Sequence, residues 1–268
     1  MMSATLPPMV DILLAVVLGA VLGSFASAVS WRLPRHLPFA NARSVCTSCQ
    51  RPLKAWDLIP IISWLLARGK CRQCGSAVSG RYVGLELLCA VMAVLIFAIY
   101  PDWGQRGVLL LILTLSAVHM MIDFEHGLLL NKVTVAMIPA LLLWHVVVYA
   151  HLPYGHIPVA QVLADIGYGV AFGGGLGLFL RYGFYVLFRK EGLGWGDVKF
   201  LPVMGIVVPF ALWAPVLLIA GILGVITAAV WRMLGKGAQF PFGPALLCAL
   251  WCALLIPRAL MALVATAH

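Results

Sequence analysis

Residues 10–29 read VDILLAVVLGAVLGSFASAV, an apolar run with a single carboxylate near its start and no other charge. A helix of that length reaches ~30 Å, the thickness of a bilayer's hydrocarbon core. Comparable runs recur over 82–100, 108–122, 133–150, 162–187 and 244–263. Hydrophobic residues make up 63% of the 268-residue chain and charged residues 10%, and the mean hydropathy is +1.03. A soluble domain carries about 25% charged residues. The composition therefore predicts an all-α polytopic membrane protein.

The first run is preceded by no basic stretch; Arg32 and Arg35 come after it. That order fits a retained helix with its N-terminus outside, not a cleaved signal. The large polar stretch is 32–81. It holds Arg32, Arg35, Arg43, Arg51, Lys54, Arg68, Lys70, Arg72 and Arg81, half of the 18 basic residues. The positive-inside rule places it in the cytoplasm. Topology thus accounts for the net charge of +9, and no nucleic-acid partner is expected. The basic loop is expected instead to meet anionic lipid headgroups of the bilayer.

Alternation puts 101–107 outside, 123–132 inside, 151–161 outside and 188–199 inside. Residues 200–231 as one helix would be ~48 Å long, too long for one span and short for two. A break around Pro209 to Pro215 would return Arg232 and Lys236 to the inside. The expectation is about eight transmembrane helices, arranged as a first helix (1–31), a four-cysteine cytoplasmic loop (32–81) and a membrane core (82–268).

That loop contains CTSC at 46–49 and CRQC at 71–74. Cys46, Cys49, Cys71 and Cys74 have the paired C-x2-C spacing of tetrahedral zinc knuckles, and a cytosolic setting disfavours disulfides. Structural zinc is the expected reading. Thiol redox chemistry and an empty site are the alternatives. Cys89, Cys248 and Cys252 fall in apolar runs and read as small buried hydrophobes.

Only nine carboxylates occur. Asp11, Asp57, Asp102, Asp165 and Glu191 lie in or near loops or helix ends and read as solvated, interfacial or paired. Glu86, in RYVGLELLCA, is deeper and is expected to face the bundle interior or a cation. Asp123, in MMIDFEHG, ends one apolar run; Asp197, in EGLGWGDVKF, precedes another. Both fall on the cytoplasmic side, which is the placement a carboxylate dyad requires. Two close carboxyls share one proton, so one can activate water while the other donates a hydrogen bond to a scissile carbonyl. Gly194 and Gly196 would free the backbone beside Asp197 and leave room for an extended substrate, and Lys199 would add positive charge on reaching the site. Pattern alone leaves the alternative that Asp197 caps the following helix. A transporter reading requires carboxylates nearer mid-bilayer.

These motifs resemble the bacterial prepilin peptidases, or type IV leader peptidases. GWGDVK at 194–199 is similar to their GxGDxK signature, and GSFASAVSWRLP to the end of their first helix. The stretch from CTSC through Glu86 resembles their cytoplasmic loop, MIDFEHGLLL their first aspartate motif, and FPFGPAL at 240–246 the entry to their last helix. The resemblance implies catalytic aspartates at Asp123 and Asp197, a supporting loop at Gly194, Gly196 and Lys199, and a methyltransferase or substrate role at Glu86. It also implies zinc in the loop and an inner-membrane location with a cytoplasmic active site. The implied substrates are type IV prepilins or type II secretion pseudopilins, cut after a glycine, with N-methylation by S-adenosylmethionine. A methyltransferase with an inert peptidase site is the competing form of that function. Leu130 and Asn131 stand where the family carries Pro and Asp.

Overall fold

The computed structural model describes residues 7–38, 43–150, 158–189, 192–235 and 240–266. Lys190, Glu191, Lys236 and most of the 151–161 segment lie outside the described residues. The helices are α1 (Pro8–Arg32), the short α2 (Ile62–Leu66), α3 (Arg81–Ile99), α4 (Trp103–His126), α5 (Asn131–Ala150), α6 (Val159–Phe188), α7 (Trp195–Met204), α8 (Trp213–Met233) and α9 (Gly243–Thr266). Among the described residues there is no strand, only the isolated bridges Val45–Pro52 and Lys70–Ala77.

Six helices, α1, α3, α4, α5, α6 and α8, are each long and apolar enough to cross a membrane. The protein is a multi-pass membrane protein. The 200–231 stretch is broken as expected, in an interval that starts earlier than Pro209 and includes it: α7 ends at Met204, a 3-10 turn covers Phe210–Leu212, and α8 begins at Trp213. Pro209 helps to set that break, because it has no N–H to continue a ladder. Pro215 sits in the first turn of α8, where no N–H is required. With 10 residues, α7 is only ~15 Å long and cannot cross alone. It also begins earlier than the sequence suggested, so Gly196 and Asp197 belong to its first turn.

The chain divides into two compact units, residues 1–121 and 122–268. In the first, α1 and α3 pack along a seam of small residues. A Cβ on Gly23 would lie 2.9 Å from the Glu86 Cα, and one on Gly19 would run into the Cys89 carbonyl. Small side chains let the backbones approach this closely, which is how apolar helices gain contact where lipid offers no hydrophobic drive. At the far end, buried Arg106 donates to Asp11 Oδ2 (2.9 Å) and to the carbonyls of Tyr100 (2.7 Å) and Phe97 (3.1 Å). One guanidinium thus caps α3 and neutralises a carboxylate, so Asp11 is paired.

In the second unit, α7 is pressed against α6. Gly169, Gly173 and Gly177 line the α6 face. A Cβ on Gly169 would meet the Gly205 carbonyl, and one on Gly173 would lie 2.5 Å from the Leu201 carbonyl. Packing, not its own length, fixes α7 in place.

Candidate active site

Asp123 comes from the last turns of α4, which stops at His126 because Gly127 adopts φ 62°. Asp123 is 4% exposed, and its Oδ2 accepts the Gly243 N–H at 2.9 Å. Gly243 is the first residue of α9. The free N–H end of that helix therefore faces the carboxylate.

Asp197 is the third residue of α7, whose N-cap is Gly194. Its carboxyl turns back toward the Gly194 backbone, and the two aspartates are close enough to feel each other's charge. Two helix N-termini, those of α7 and α9, thus bear on one carboxylate pair. Their partial positive charge offsets the cost of holding one negative charge in a dry site.

Leu129 separates the parts. A Cβ on Gly196 would lie 2.9 Å from the Leu129 Cβ, and one on Gly243 would lie 3.1 Å from Leu129 Cδ2 and 2.6 Å from Asp123 Oδ2. The glycines therefore serve close packing. Gly194, at φ −66° and ψ 148°, has ordinary extended geometry, and Gly196 is helical. The expected room for substrate beside Gly196 is filled by Leu129.

Lys199 does not turn to the aspartates. It is exposed and reaches Asn131 Oδ1 at 3.4 Å. His126 lies 3.8 Å from the Glu125 carboxylate.

Arg181 was missed by sequence reasoning. It is buried on α6, donates to the Leu193 carbonyl and stacks 4.5 Å over the Trp195 ring. It thereby holds the strand of chain that leads into Asp197. The signal was present: a lone cation in GLFLRYGF, inside an apolar helix, calls for a partner. Arg181→Ala is expected to lower kcat on the order of 10- to 100-fold with little change in KM, since a small misplacement of a reacting group has that effect. Arg181→Lys restores charge but not stacking, and is expected to recover part of the loss.

In the first unit the four cysteines converge, with their sulfurs all within 4.8 Å of one another. Cys46 Sγ and Cys74 Sγ are 3.9 Å apart. A zinc ion with four thiolates at ~2.3 Å requires sulfur separations of about 3.8 Å, so the set fits. The two knuckles repeat one design. Cys46 N–H donates to Arg51 O and Gln50 N–H to Cys46 O; Cys71 N–H donates to Ser76 O and Gly75 N–H to Cys71 O. Gln50 and Gly75 both take positive φ, 57° and 70°. The backbone N–H groups of Cys49 and Ser48 hold the Cys46 thiol down at about 6, and the Ser76 hydroxyl lowers Cys74. The Cys46 thiol is therefore ready as a thiolate at neutral pH. Cys49 is instead pushed up to about 11, the Arg51 backbone N–H there being outweighed by burial and the neighbouring Cys46 and Cys74 sulfurs. Cys46→Ser or Cys71→Ser is expected to abolish equimolar zinc binding by the purified protein and to open residues 43–80 to trypsin. Metal analysis and limited digestion check both.

Glu86, buried on α3, accepts the Ile61 N–H at 2.7 Å. The structure ties it to the cysteine-bearing segment.

Together these features define a polytopic membrane protein with two neighbouring aspartates, Asp123 buried and Asp197 half-buried, and a four-cysteine centre. The bacterial peptidase A24 N-terminal domain profile matches residues 17–100, and the type IV leader peptidase family profile matches 108–229. A prepilin leader peptidase/N-methyltransferase of Aeromonas salmonicida is 36% identical over 219 residues, covering 80% of this chain and 71% of the relative. One of the same name from Stutzerimonas stutzeri is 30% identical over 278 residues, covering 92% and 91%. A type 4 prepilin-like proteins leader peptide-processing enzyme of Escherichia coli is 30% identical over 253 residues, covering 87% and 89%. No solved structure matches the chain at a significant level. The chain belongs to the type IV leader peptidase family.

Proposed function

We propose that this protein is a membrane aspartyl endopeptidase that removes the basic leader of type IV prepilins or type II secretion pseudopilins, cutting after a glycine. The observation that carries the reading is the convergence of buried Asp123, half-buried Asp197 and the α9 N-terminus in one place. Of the two carboxyls, one is ionised and one protonated. The ionised one takes a proton from a water as its oxygen attacks the scissile carbonyl carbon. The protonated one gives its proton to the carbonyl oxygen. When the tetrahedral gem-diol collapses, the C–N bond breaks, the leaving amine takes a proton from one carboxyl, and a gem-diol hydroxyl returns a proton to the other as the C=O reforms. Because the two groups titrate together, the proton belongs to the pair and not to either residue.

Gly194 and Gly196 act by letting the chain pack tightly around Asp197, and Lys199 steadies the same turn from outside through Asn131. Where the family carries Asp, Asn131 keeps a hydrogen-bond acceptor for Lys199 and forgoes the charge.

Zinc, held by Cys46, Cys49, Cys71 and Cys74, is a closed structural centre that folds the loop and leaves no position for substrate. The relatives' name supports N-methylation of the new N-terminus, for which S-adenosylmethionine supplies the methyl group. An apolar groove on α8, between Leu217 and Ile226, offers only aliphatic side chains and Gly221. It does not fit that donor, and no methyl-transfer step is assigned to it. We place the protein in the bacterial inner membrane with the dyad on the cytoplasmic side, following the basic loop. The test is a purified preparation acting on a synthetic prepilin, followed by product mass. Loss of the leader at the glycine supports the reading, and gain of one methyl group adds the transferase. An uncut prepilin overturns it.

A further inference from the structure

We propose that the turn from Trp56 to Leu66 is an interfacial anchor. Its apolar side chains enter the lipid at the membrane face where α1 leaves and α3 begins, and Lys54, Arg68 and Lys70 meet anionic headgroups. The proposal rests on α1 and α3 being membrane helices and is independent of the peptidase reading.

Trp56, Leu58, Ile59, Ile62, Leu65 and Leu66 are all exposed, Leu66 at 72%. They belong to a built segment. Its inward side chain, Trp64, donates from its indole to the Val78 carbonyl (3.1 Å) and lies against Gly69 and Gly80. Asp57 is braced by Arg51 at 3.0 Å and Arg72 at 3.6 Å. A fixed turn that points one aromatic inward and six apolar side chains outward presents a face for an apolar medium.

The depth of the turn identifies that medium. Ile61 is β-branched and sits at φ 63°, a conformation that persists only when its surroundings impose it. Its N–H is held by Glu86. Glu86 stands five residues inside α3, counted from Arg81, or ~7.5 Å along the helix axis. The turn is therefore fixed at the level of the second turn of a membrane helix. Interfacial segments lie with their apolar faces ~5–10 Å into the headgroup and acyl boundary. A soluble partner would call for an apolar face carried clear of the bilayer.

Charge agrees with this placement. Asp57 is the only carboxylate between residues 43 and 80, and it is already paired. Lys54, Arg68 and Lys70 are exposed beside the apolar side chains in sequence. That combination favours anionic over zwitterionic lipid.

The test replaces Ile62, Leu65 or Leu66 in turn by benzoylphenylalanine in the full chain, with Gln73, exposed in the second knuckle, as the reference position. Each protein is reconstituted in phosphatidylcholine vesicles with or without phosphatidylglycerol, illuminated, and analysed by mass. Lipid adducts are expected at all three apolar positions, more abundant with phosphatidylglycerol, and at background at Gln73. All four positions are exposed on the protein, so folding is undisturbed, and equimolar zinc verifies it. Absence of lipid adducts from a zinc-loaded protein overturns the proposal. So does crosslinking of these positions to prepilin or another protein when native membranes are illuminated. Equal yield in both lipid mixtures overturns the anionic-headgroup half.

Discussion

Asp123→Asn and Asp197→Asn are each expected to reduce prepilin cleavage by about 10^3-fold or more while the protein still accumulates in the membrane. Asparagine keeps the shape of the side chain and its capacity to accept a hydrogen bond. The Gly243 N–H can still be satisfied in Asp123→Asn, and the first turn of α7 can still be capped in Asp197→Asn. What is lost is the shared proton. This separates catalysis from capping, because an exchange of cap residues costs a fraction of a kcal/mol and leaves turnover nearly untouched. The double variant is expected to be no worse than either single one, since groups that act as a unit fail together. Near-normal cleavage by Asp197→Asn in membranes with normal protein levels would reduce that aspartate to a helix cap and end the peptidase assignment.

The parts legible in the sequence are those that depend on local pattern. Apolar runs long enough to cross a bilayer showed themselves directly, and the doubled C-x2-C spacing brought out the four-cysteine centre that the structure assembles. Scarcity of carboxylates drew attention to Asp123 and Asp197. The hidden parts depend on contacts between distant residues. Nothing local says that α7 stops after 10 residues, because its length is set by glycine packing against α6 and by the break at Gly205 to Pro209. Gly194 and Gly196 invited a reading of backbone freedom, whereas their φ and ψ are ordinary and Leu129 fills the space beside Gly196. Lys199 two residues after Asp197 suggested a counter-charge, but helical geometry points residues two apart to different sides, and Lys199 meets Asn131. Arg181 lies 16 positions before Asp197, and only the fold brings it to the Leu193 carbonyl.

Gly243 is the strongest case of such a hidden residue, and its substitution gives the second large effect. An alanine Cβ there would stand 2.6 Å from Asp123 Oδ2, 3.0 Å from its Cγ and 3.1 Å from Leu129 Cδ2. The first of these separations is too short for carbon and the other two are tight, and the carboxylate is the neighbour most able to move. It can do so only by abandoning the 2.9 Å bond from the Gly243 N–H. Gly243→Ala is therefore expected to lower kcat on the order of 100-fold, as a displacement of about 1 Å at a reacting group does. The overpacking itself should cost about 1–3 kcal/mol of stability. Gly221→Ala, on α8 with no heavy atom within 4 Å of the added Cβ, is expected to be silent in both respects. Gly205→Ala meets the Gly169 backbone, which cannot yield; it should reduce accumulation of the protein by loosening α7 from α6. Kinetics and membrane abundance measured together distinguish these patterns. If Gly243→Ala cleaves prepilin at the wild-type rate, the α9 N-terminus does not hold Asp123 during the reaction, and the electrostatic account of the dyad loses one of its two helix termini.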